Sequence, residues 1–131
     1  MAISLSPDLI VTDLDRSVRF YARALGLVEE DRASGPEGAF FAMLARDGLR
    51  LMLETPRSPD PGTRGLLERQ GGRPGATINL YVSVDDLAAE KARLVKAEVT
   101  FEGPVDKPYG MREVSFHDPD GYCWTLGEKV R

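Results

Sequence analysis

The stretch Ser115–Glu128, SFHDPDGYCWTLGE, is the part of the chain that decides its fold. Its DPDG segment is a strong turn signal, because Pro119 suits the second turn position and Gly121 suits a left-handed residue. A three-residue loop with a glycine bulge would pair Asp118 with Tyr122 across two antiparallel strands. The same stretch holds the single histidine, cysteine and tryptophan of the chain, which are His117, Cys123 and Trp124. It is therefore predicted to be a β-hairpin that also invites a functional interpretation.

The hairpin pattern occurs twice. RDGLRLML (Arg46–Leu53) matches PDGYCWTL (Pro119–Leu126) at an offset of 73 positions. LIVTDLDRS (Leu9–Ser17) matches VSVDDLAAE (Val82–Glu90) at the same offset, while the stretches between need small gaps. A constant offset over two separated blocks indicates an internal duplication.

Each half is predicted to run strand, helix and three further strands. In the first half, Ser4–Val11 alternates as a strand does, Asp13 is a good N-cap and Gly26 a natural residue after a helix. The helix places Leu14, Val18, Tyr21 and Leu25 on one stripe. The other predicted strands lie near Val28–Arg32, Ala39–Ala45, Leu49–Glu54, Ile78–Val84, Val99–Glu102, Glu113–His117 and Tyr122–Gly127, and the second helix at about Asp86–Ala97.

The chain is expected to form one domain over residues 1–131, with modules at about 1–55 and 76–131. The intervening residues, about 56–75, are rich in proline and glycine and would be a linker or a lid. Net charge −4 and a pI near 5.0 argue against nucleic acid as a partner. No apolar stretch is long enough for a membrane span, and one cysteine fits a reducing compartment, so a cytoplasmic protein is expected.

Alternation along the strands predicts one apolar face toward the helices and one polar face away from them. Phe116 is expected opposite Trp124 on the buried side. The polar face would collect Ser6, Asp8, Asn79, Tyr81, Glu113, Ser115, His117, Cys123 and Thr125. A polar face of this size looks either to water or into a cavity.

These residues resemble the vicinal oxygen chelate superfamily, which contains glyoxalases, bleomycin resistance proteins and extradiol dioxygenases. VTDLDRSVRFYARALGL resembles the first helix of that family, and YGMREVSFHDPDGYCWTL its C-terminal signature. The resemblance spans the chain apart from the central loop. It implies an α+β fold in which two tandem βαβββ modules form a curved mixed sheet around a cup. Glu98 departs from the glycine that usually ends the second helix.

The resemblance also implies positions for a divalent metal ion in the cup, normally His, Glu or Gln. In this chain those positions are Ser6, Met52, Asn79 and Thr125. Hydroxyl, thioether and amide groups are poor ligands beside imidazole and carboxylate, so no metal and no cofactor are expected. Drug-binding members of the family are typically dimers with shared ligand grooves, and a homodimer is expected here.

Several side chains are candidates for a site. Phe40, Met52, Tyr81 and Tyr109 would form a stacking surface for a flat ligand, with Arg112 nearby and Leu66 and Leu67 closing over it. Arg50 could neutralise a carboxylate or clamp an anion. Asp8 and Glu54, with Glu113, could form a general acid/base pair or an alternative metal site, or be solvated carboxylates.

The rare residues of the hairpin allow two interpretations each. His117 and Cys123 could be a nucleophile pair, or an exposed histidine beside a half-buried thiol. Trp124 could be a ligand platform, or a core residue packed on Phe116 and the second helix.

Three functions remain open. The first is metal-free binding and sequestration of a drug or metabolite. The second is an enzyme of this fold, a lyase, isomerase or dioxygenase with a displaced metal site, or a catalyst using Glu54 or Asp8 as base. The third is a regulatory or structural dimer without turnover.

Overall fold

The computed structural model describes residues 4–59, 62, 63, 65, 68 and 78–130. Both modules follow the predicted order of elements. The first contains β1 (Asp8–Ile10), α1 (Leu14–Leu25), β2 (Val28–Gly35), β3 (Gly38–Arg46) and β4 (Leu49–Glu54). The second contains β5 (Asn79–Ser83), α2 (Leu87–Lys96), β6 (Phe101–Asp106), β7 (Met111–His117) and β8 (Cys123–Lys129). Strand β1 is shorter than the alternation predicted, so that Ser6 lies before it.

Each module forms its own four-stranded sheet, in the orders β1-β4-β3-β2 and β5-β8-β7-β6. The first strand of each module is parallel to the last, and the other pairs are antiparallel. The two registers repeat the sequence offset, because Asp8 pairs with Met52 and Tyr81 pairs with Thr125. The duplication seen in the sequence is thus also a duplication of strand pairing.

The helix caps repeat as well. Asp13 accepts a hydrogen bond from Arg16 N at 3.0 Å, and Asp86 accepts one from Ala89 N at 3.1 Å. Gly26 ends α1 with a φ of 68°, as predicted. After α2 the left-handed residue is Glu98, with a φ of 59°, so the departure from glycine costs backbone strain. Neither described helix is long and apolar enough to cross a bilayer.

The core lies on the helix side of both sheets, and α1 contributes to both modules. The Tyr21 ring lies 5.5 Å from the Trp124 ring at an angle of 62°, and Phe116 pairs with Trp124 across β7 and β8. Trp124 is 1% exposed, which confirms it as a core residue. Its ring partner is Tyr21 of the first helix, whereas the sequence had suggested the second.

The β7–β8 turn joins the modules through the buried side chain of Asp118. Asp118 accepts hydrogen bonds from Tyr21 Oη at 2.5 Å and from Tyr122 N at 2.8 Å. Tyr21 Oη in turn accepts the Trp124 indole N–H at 3.1 Å. Burial, only partly offset by these hydrogen bonds, raises the pKa of Asp118 above its ordinary value. The predicted loop geometry is confirmed by the 2.9 Å hydrogen bond from Asp118 N to Tyr122 O.

A second contact between the modules is ionic. Both guanidinium nitrogens of Arg46, at the end of β3, donate to the Glu90 carboxylate of α2 at 2.8 Å. The Glu90 side chain is 8% exposed. The hydrogen bonds from Arg46 hold the pKa of Glu90 below its ordinary value, although burial alone would raise it. This bidentate pair fixes the end of β3 against the helix of the other module.

Candidate functional site

The face of the second sheet that turns away from the helices carries the predicted polar residues. The register places Tyr81 beside Thr125, Ser115 across from Thr125, and His117 across from Cys123. Val114, Phe116, Trp124 and Leu126 lie on the opposite, buried face. The predicted division into two faces is therefore confirmed for this sheet, and its outer surface is here named the open face of sheet 2.

Two tyrosines converge on one carboxylate of this face. Tyr81 Oη donates to Glu113 Oε2 at 2.8 Å, and Tyr109 Oη donates to the same oxygen at 2.6 Å. Glu113 is 6% exposed, whereas Tyr81 and Tyr109 are 44% and 65% exposed. Two phenol rings are thus anchored by their hydroxyls to a buried acid while their faces stay accessible.

The electrostatics of the two tyrosines follow from this anchor. Desolvation, together with the hydrogen bond to Glu113, raises the pKa of Tyr81 to about 12. The hydrogen bond to Glu113 likewise raises the pKa of Tyr109. Both phenols therefore stay protonated near neutral pH and serve as hydrogen-bond donors.

Gly127 makes room for one of these rings. A Cβ built on Gly127 would overlap the Tyr81 phenol, lying 2.6 Å from Tyr81 Cζ. The hydroxyl end of the Tyr81 ring consequently lies close to the backbone of β8 at Gly127. A glycine inside a predicted strand is a known signal of close approach, and it was the available clue to this contact.

A short chain of hydroxyl and amide groups continues the site along β8. Thr125 Oγ1 lies 3.0 Å from Ser115 Oγ and donates to Asn79 Oδ1 at 3.2 Å. The structure thus brings together Asn79 and Thr125, two of the four positions that the family resemblance singled out. It also adds Ser115, which the sequence had placed on this face without assigning it to the site.

The open face of the first sheet carries the second cluster. Asp8 of β1 and Glu54 of the adjacent β4 are joined by a hydrogen bond between their side chains. This bond is the largest cause of the lowered pKa of Glu54; bonds from Thr63 and Ser58 act in the same direction against burial. The predicted placement of Asp8 and Glu54 on neighbouring strands is confirmed, and Glu113 lies on the other sheet.

Three other predicted site residues lie apart from these clusters. Phe40 lines a separate cleft at the β2–β3 hairpin with Arg57, and Phe41 takes the position across from Glu54. Arg50 forms an ion pair with Glu30 at 3.6 Å. Arg112 pairs with Asp106 at 2.7 Å, and alternation along β7 turns it to the face opposite Glu113. Of the proposed stacking surface, Met52 lies on the first sheet, Tyr81 lies on the second, and Tyr109 lies in the loop before β7.

His117 and Cys123 are cross-strand neighbours, as predicted. His117 is exposed and Cys123 is half-buried. Within the described residues no hydrogen bond joins the imidazole to the thiol. These features match the plain interpretation of the pair and give no support to a nucleophile.

Part of the central segment, about residues 56–75, contacts the open face of the first sheet. Thr63 is buried and donates to Glu54 Oε2 at 2.9 Å. The central segment therefore contacts the Asp8–Glu54 cluster through Thr63. Leu66 and Leu67, which were predicted to close over a ligand, lie outside the described residues.

The metal ion that the resemblance implies does not fit the donors present. Met52 offers a thioether, and the only side-chain oxygens at the other positions are the hydroxyls of Ser6 and Thr125 and the amide of Asn79. Thr125 Oγ1 already donates its proton to Asn79, so these two groups satisfy each other. Neutral oxygens and sulfur in this combination are a weak set for a divalent ion. The described residues contain no group of three or more His, Cys, Asp or Glu side chains suited to a metal.

Comparison with known proteins agrees with the architecture. The uncharacterized protein Mb0911c of Mycobacterium bovis is 31% identical over 130 residues, covering 98% of this chain and 84% of that protein. TioX from Micromonospora sp. ML1 superposes with a TM-score of 0.75 at 20% identity, covering 98% of this chain and 100% of TioX. TnmS3, an antibiotic binding protein from Streptomyces sp. CB03234, gives 0.72 at 24% identity, covering 99% of this chain and 98% of TnmS3.

The family assignment rests on more than shape. A superfamily member from Sphaerobacter thermophilus DSM 20745 is 25% identical with a TM-score of 0.74, covering 98% of both chains. The sequence model of the Glyoxalase/Bleomycin resistance protein/Dioxygenase superfamily matches residues 4–126. That match extends from before β1 into β8 and so includes both modules. The chain therefore belongs to the glyoxalase/bleomycin resistance protein/dioxygenase superfamily.

Proposed function

We propose that this protein binds a flat aromatic drug or metabolite on the open face of sheet 2 and sequesters it without a metal ion. The observation that carries the proposal is the convergence of Tyr81 and Tyr109 on Glu113. Anchored hydroxyls hold two exposed rings in fixed orientations, so little side-chain entropy is lost when a ligand stacks on them. TnmS3, which shares the fold, is an antibiotic binding protein, and this supports the class of ligand.

The ligand would meet a defined pattern of polar groups. Glu113 presents a buried carboxylate, and the row of Asn79, Thr125 and Ser115 presents hydroxyl and amide groups beside the rings. A mainly aromatic wall with a few polar groups is the usual composition of a small-molecule site. The protein would therefore recognise a planar ring system bearing hydrogen-bonding substituents.

We further propose that two copies form the complete cup. Val28 and Val105 lie on the edge strands β2 and β6 and are 66% and 49% exposed, and Tyr109 is 65% exposed. Exposed apolar side chains beside an open sheet face are typical of surfaces that another molecule covers. A homodimer would place a second surface over each open face. Sedimentation velocity would show a dimer for the wild type and a monomer for Val105→Asp.

The binding proposal is tested by isothermal titration calorimetry with a panel of polycyclic aromatic antibiotics. Tyr109→Ala should weaken the binding of any ligand by at least about tenfold, which corresponds to roughly 1.4 kcal/mol. Val95→Ala is a matched control, because Val95 is 59% exposed on α2 and remote from the open face. Equal affinity for wild type and Tyr109→Ala would refute this location of the site.

A second candidate function rests on the Asp8–Glu54 pair. Two neighbouring carboxyl groups are suited to general acid/base catalysis. The same titration mixtures, analysed by mass spectrometry, separate the two functions. Unchanged ligand supports sequestration, whereas a product that forms with wild type and not with Asp8→Asn supports catalysis. If no compound of the panel shifts the melting temperature, a regulatory or structural dimer is favoured.

A further inference from the structure

A cleft of about 600 Å³ lies between the β3–β4 turn and the outer edge of β5. Residues 46–49, residues 81–86 and Glu90 line it. Its volume falls within the range of roughly 300–1,000 Å³ that small-molecule sites occupy. It is a different place from the row of polar groups on the open face of sheet 2, although Tyr81 borders both.

The internal repeat shows what this cleft corresponds to. In the other module the equivalent space is closed by the chain itself, because the β7–β8 turn packs on the edge of β1. Tyr122 Oη accepts from Ile10 N at 3.1 Å and donates to Ile10 O at 2.9 Å. Asp120 Oδ1 accepts from the Thr12 hydroxyl at 2.8 Å, and Arg16 donates to that hydroxyl at 2.8 Å. The equivalent space beside β1 is thus filled by four groups: the Tyr122 phenol, the Arg16 guanidinium, the Thr12 hydroxyl and the Asp120 carboxylate.

The second module keeps only the carboxylate of this arrangement. Shifted by 73 positions, Tyr122 becomes Leu49, Arg16 becomes Ala89 and Thr12 becomes Asp85. Asp47 stands where Asp120 stands, but its side chain is 92% exposed, and Arg46 Nε lies 3.9 Å from its carboxylate. The Arg46 guanidinium, which also lines the cleft, donates its two shorter bonds to Glu90 at 2.8 Å. Asp47 and Asp85 both line the cleft, at the positions where Thr12 and Asp120 form a hydrogen bond in the other module. The substitutions remove a phenol and a cation and add a negative charge.

In the first module the Tyr122 hydroxyl hydrogen-bonds to the backbone N–H and C=O of Ile10, and the cleft contains the equivalent backbone groups. Ser83 pairs with Gly127 as Ile10 pairs with Glu54. Val84 N donates to Gly127 O at 2.9 Å, matching the 2.8 Å bond from Val11 N to Glu54 O. The N–H and C=O of Ser83 therefore point to the outer edge of β5, as those of Ile10 point to the outer edge of β1. Among the described residues, no hydroxyl hydrogen-bonds to them.

We propose that this cleft is a second ligand site, specific for a small phenol that carries a protonated amine or guanidine. The phenol would bond the Ser83 backbone as Tyr122 bonds Ile10. The cation would lie between Asp47 and Asp85 and replace the charge that Arg16 supplies in the first module. The site does not depend on the proposed function: Tyr81 borders both places, but the contacts proposed here are made by Ser83, Asp47 and Asp85.

The test is an NMR titration of the ¹⁵N-labelled full chain with tyramine, which combines a phenol with an amine. Tyramine should shift the Ser83 and Asp85 amide signals with saturation on the order of a millimolar, as expected for so small a ligand. Phenethylamine, which lacks the hydroxyl, and 4-hydroxyphenylacetate, which lacks the cation, should each bind at least about fivefold more weakly. Equal shifts with all three compounds, or shifts elsewhere on the surface, would overturn the proposal.

Substitutions sharpen the result. Asp85→Asn should weaken tyramine binding about fivefold, whereas Asp31→Asn, an equal charge change on β2, should leave it within about twofold. The triple variant Leu49→Tyr, Asp85→Thr and Ala89→Arg rebuilds the seal of the first module and should abolish binding. Unchanged tyramine affinity in Asp85→Asn or in a folded triple variant contradicts the assignment. The wild-type ligand series decides the matter even if the triple variant does not fold. A cleft that a second copy fills would give no tyramine-dependent shift at Ser83, which also counts against the proposal.

Discussion

Replacing Tyr21 by Phe tests how the two modules are held together. The substitution keeps the ring beside Trp124 and removes one hydroxyl, which is fully buried. That hydroxyl donates to Asp118 at 2.5 Å and accepts the Trp124 N–H at 3.1 Å. The bond to the carboxyl group is worth about 1.5–3 kcal/mol if Asp118 is ionised, and a buried indole N–H without an acceptor costs about 1–3 kcal/mol. The two effects share one atom and are not additive, so a loss of about 3 kcal/mol is expected.

The assay is urea unfolding followed by far-UV circular dichroism, which does not depend on the environment of Trp124. In a thermal melt followed by the same signal, a loss of about 3 kcal/mol corresponds to a fall in Tm of roughly 10 °C for a chain of this length. Ser34→Ala is the control, because it removes the hydroxyl of an exposed serine on β2 and should change stability by less than about 0.5 kcal/mol. A loss below about 1 kcal/mol for Tyr21→Phe, or equal losses for both variants, would refute the role assigned to this hydrogen-bond network.

Three further substitutions follow from the structure. Glu90→Gln should lower the free energy of unfolding by about 1–3 kcal/mol at pH 7. The hydrogen bonds from Arg46 lower the pKa of Glu90 in the fold, so the contribution of this pair to stability is present above the ordinary carboxyl pKa and is lost as pH falls through the lowered value. The difference in unfolding free energy between variant and wild type should therefore shrink as the solution is acidified below the ordinary carboxyl pKa, and a difference that stays constant would contradict this. Glu98→Gly should raise stability by about 0.5–1 kcal/mol, since glycine adopts the observed φ of 59° without strain, and an unchanged or lower Tm would contradict this. Gly127→Ala should displace the Tyr81 ring from Glu113 and so lower the pKa of Tyr81 from about 12 toward 10. Ultraviolet titration of the phenols measures this change, and a titration curve identical to that of the wild type would contradict it.

The sequence predicted the fold well because its information was local and duplicated. The caps Asp13 and Asp86, the left-handed Gly26 and the DPDG turn each depend on residues a few positions away. The offset of 73 positions then allowed the elements predicted for one module to be checked against those of the other. The strand registers of the two modules repeat the same offset. Strand ends were less certain, as the short β1 shows, because they depend on pairing partners distant in sequence.

The site was predicted only in part. Alternation within one sheet correctly brought Asn79, Thr125 and Tyr81 to one face, and Asp8 beside Glu54. It could not show how side chains of different sheets are arranged, and Met52 and Tyr81 lie on different sheets. The convergence of two hydroxyls on Glu113 also escaped prediction, because it depends on the path of the loop that carries Tyr109 and on the space above Gly127. Such contacts are set by tertiary packing, which periodicity does not encode.

The most direct test of metal-free binding at the open face of sheet 2 is the affinity for one bound aromatic ligand, measured by calorimetry with and without divalent metal. The dissociation constant in chelator-treated buffer should equal that with added Mn²⁺, Fe²⁺, Co²⁺, Ni²⁺ or Zn²⁺, and elemental analysis should find no stoichiometric metal in the complex. Binding that disappears with chelator and returns with one of these ions would contradict the proposal. It would show that the ligand is held through a metal ion, and the donors would then have to be sought among residues such as Asp8, Glu54 and His117.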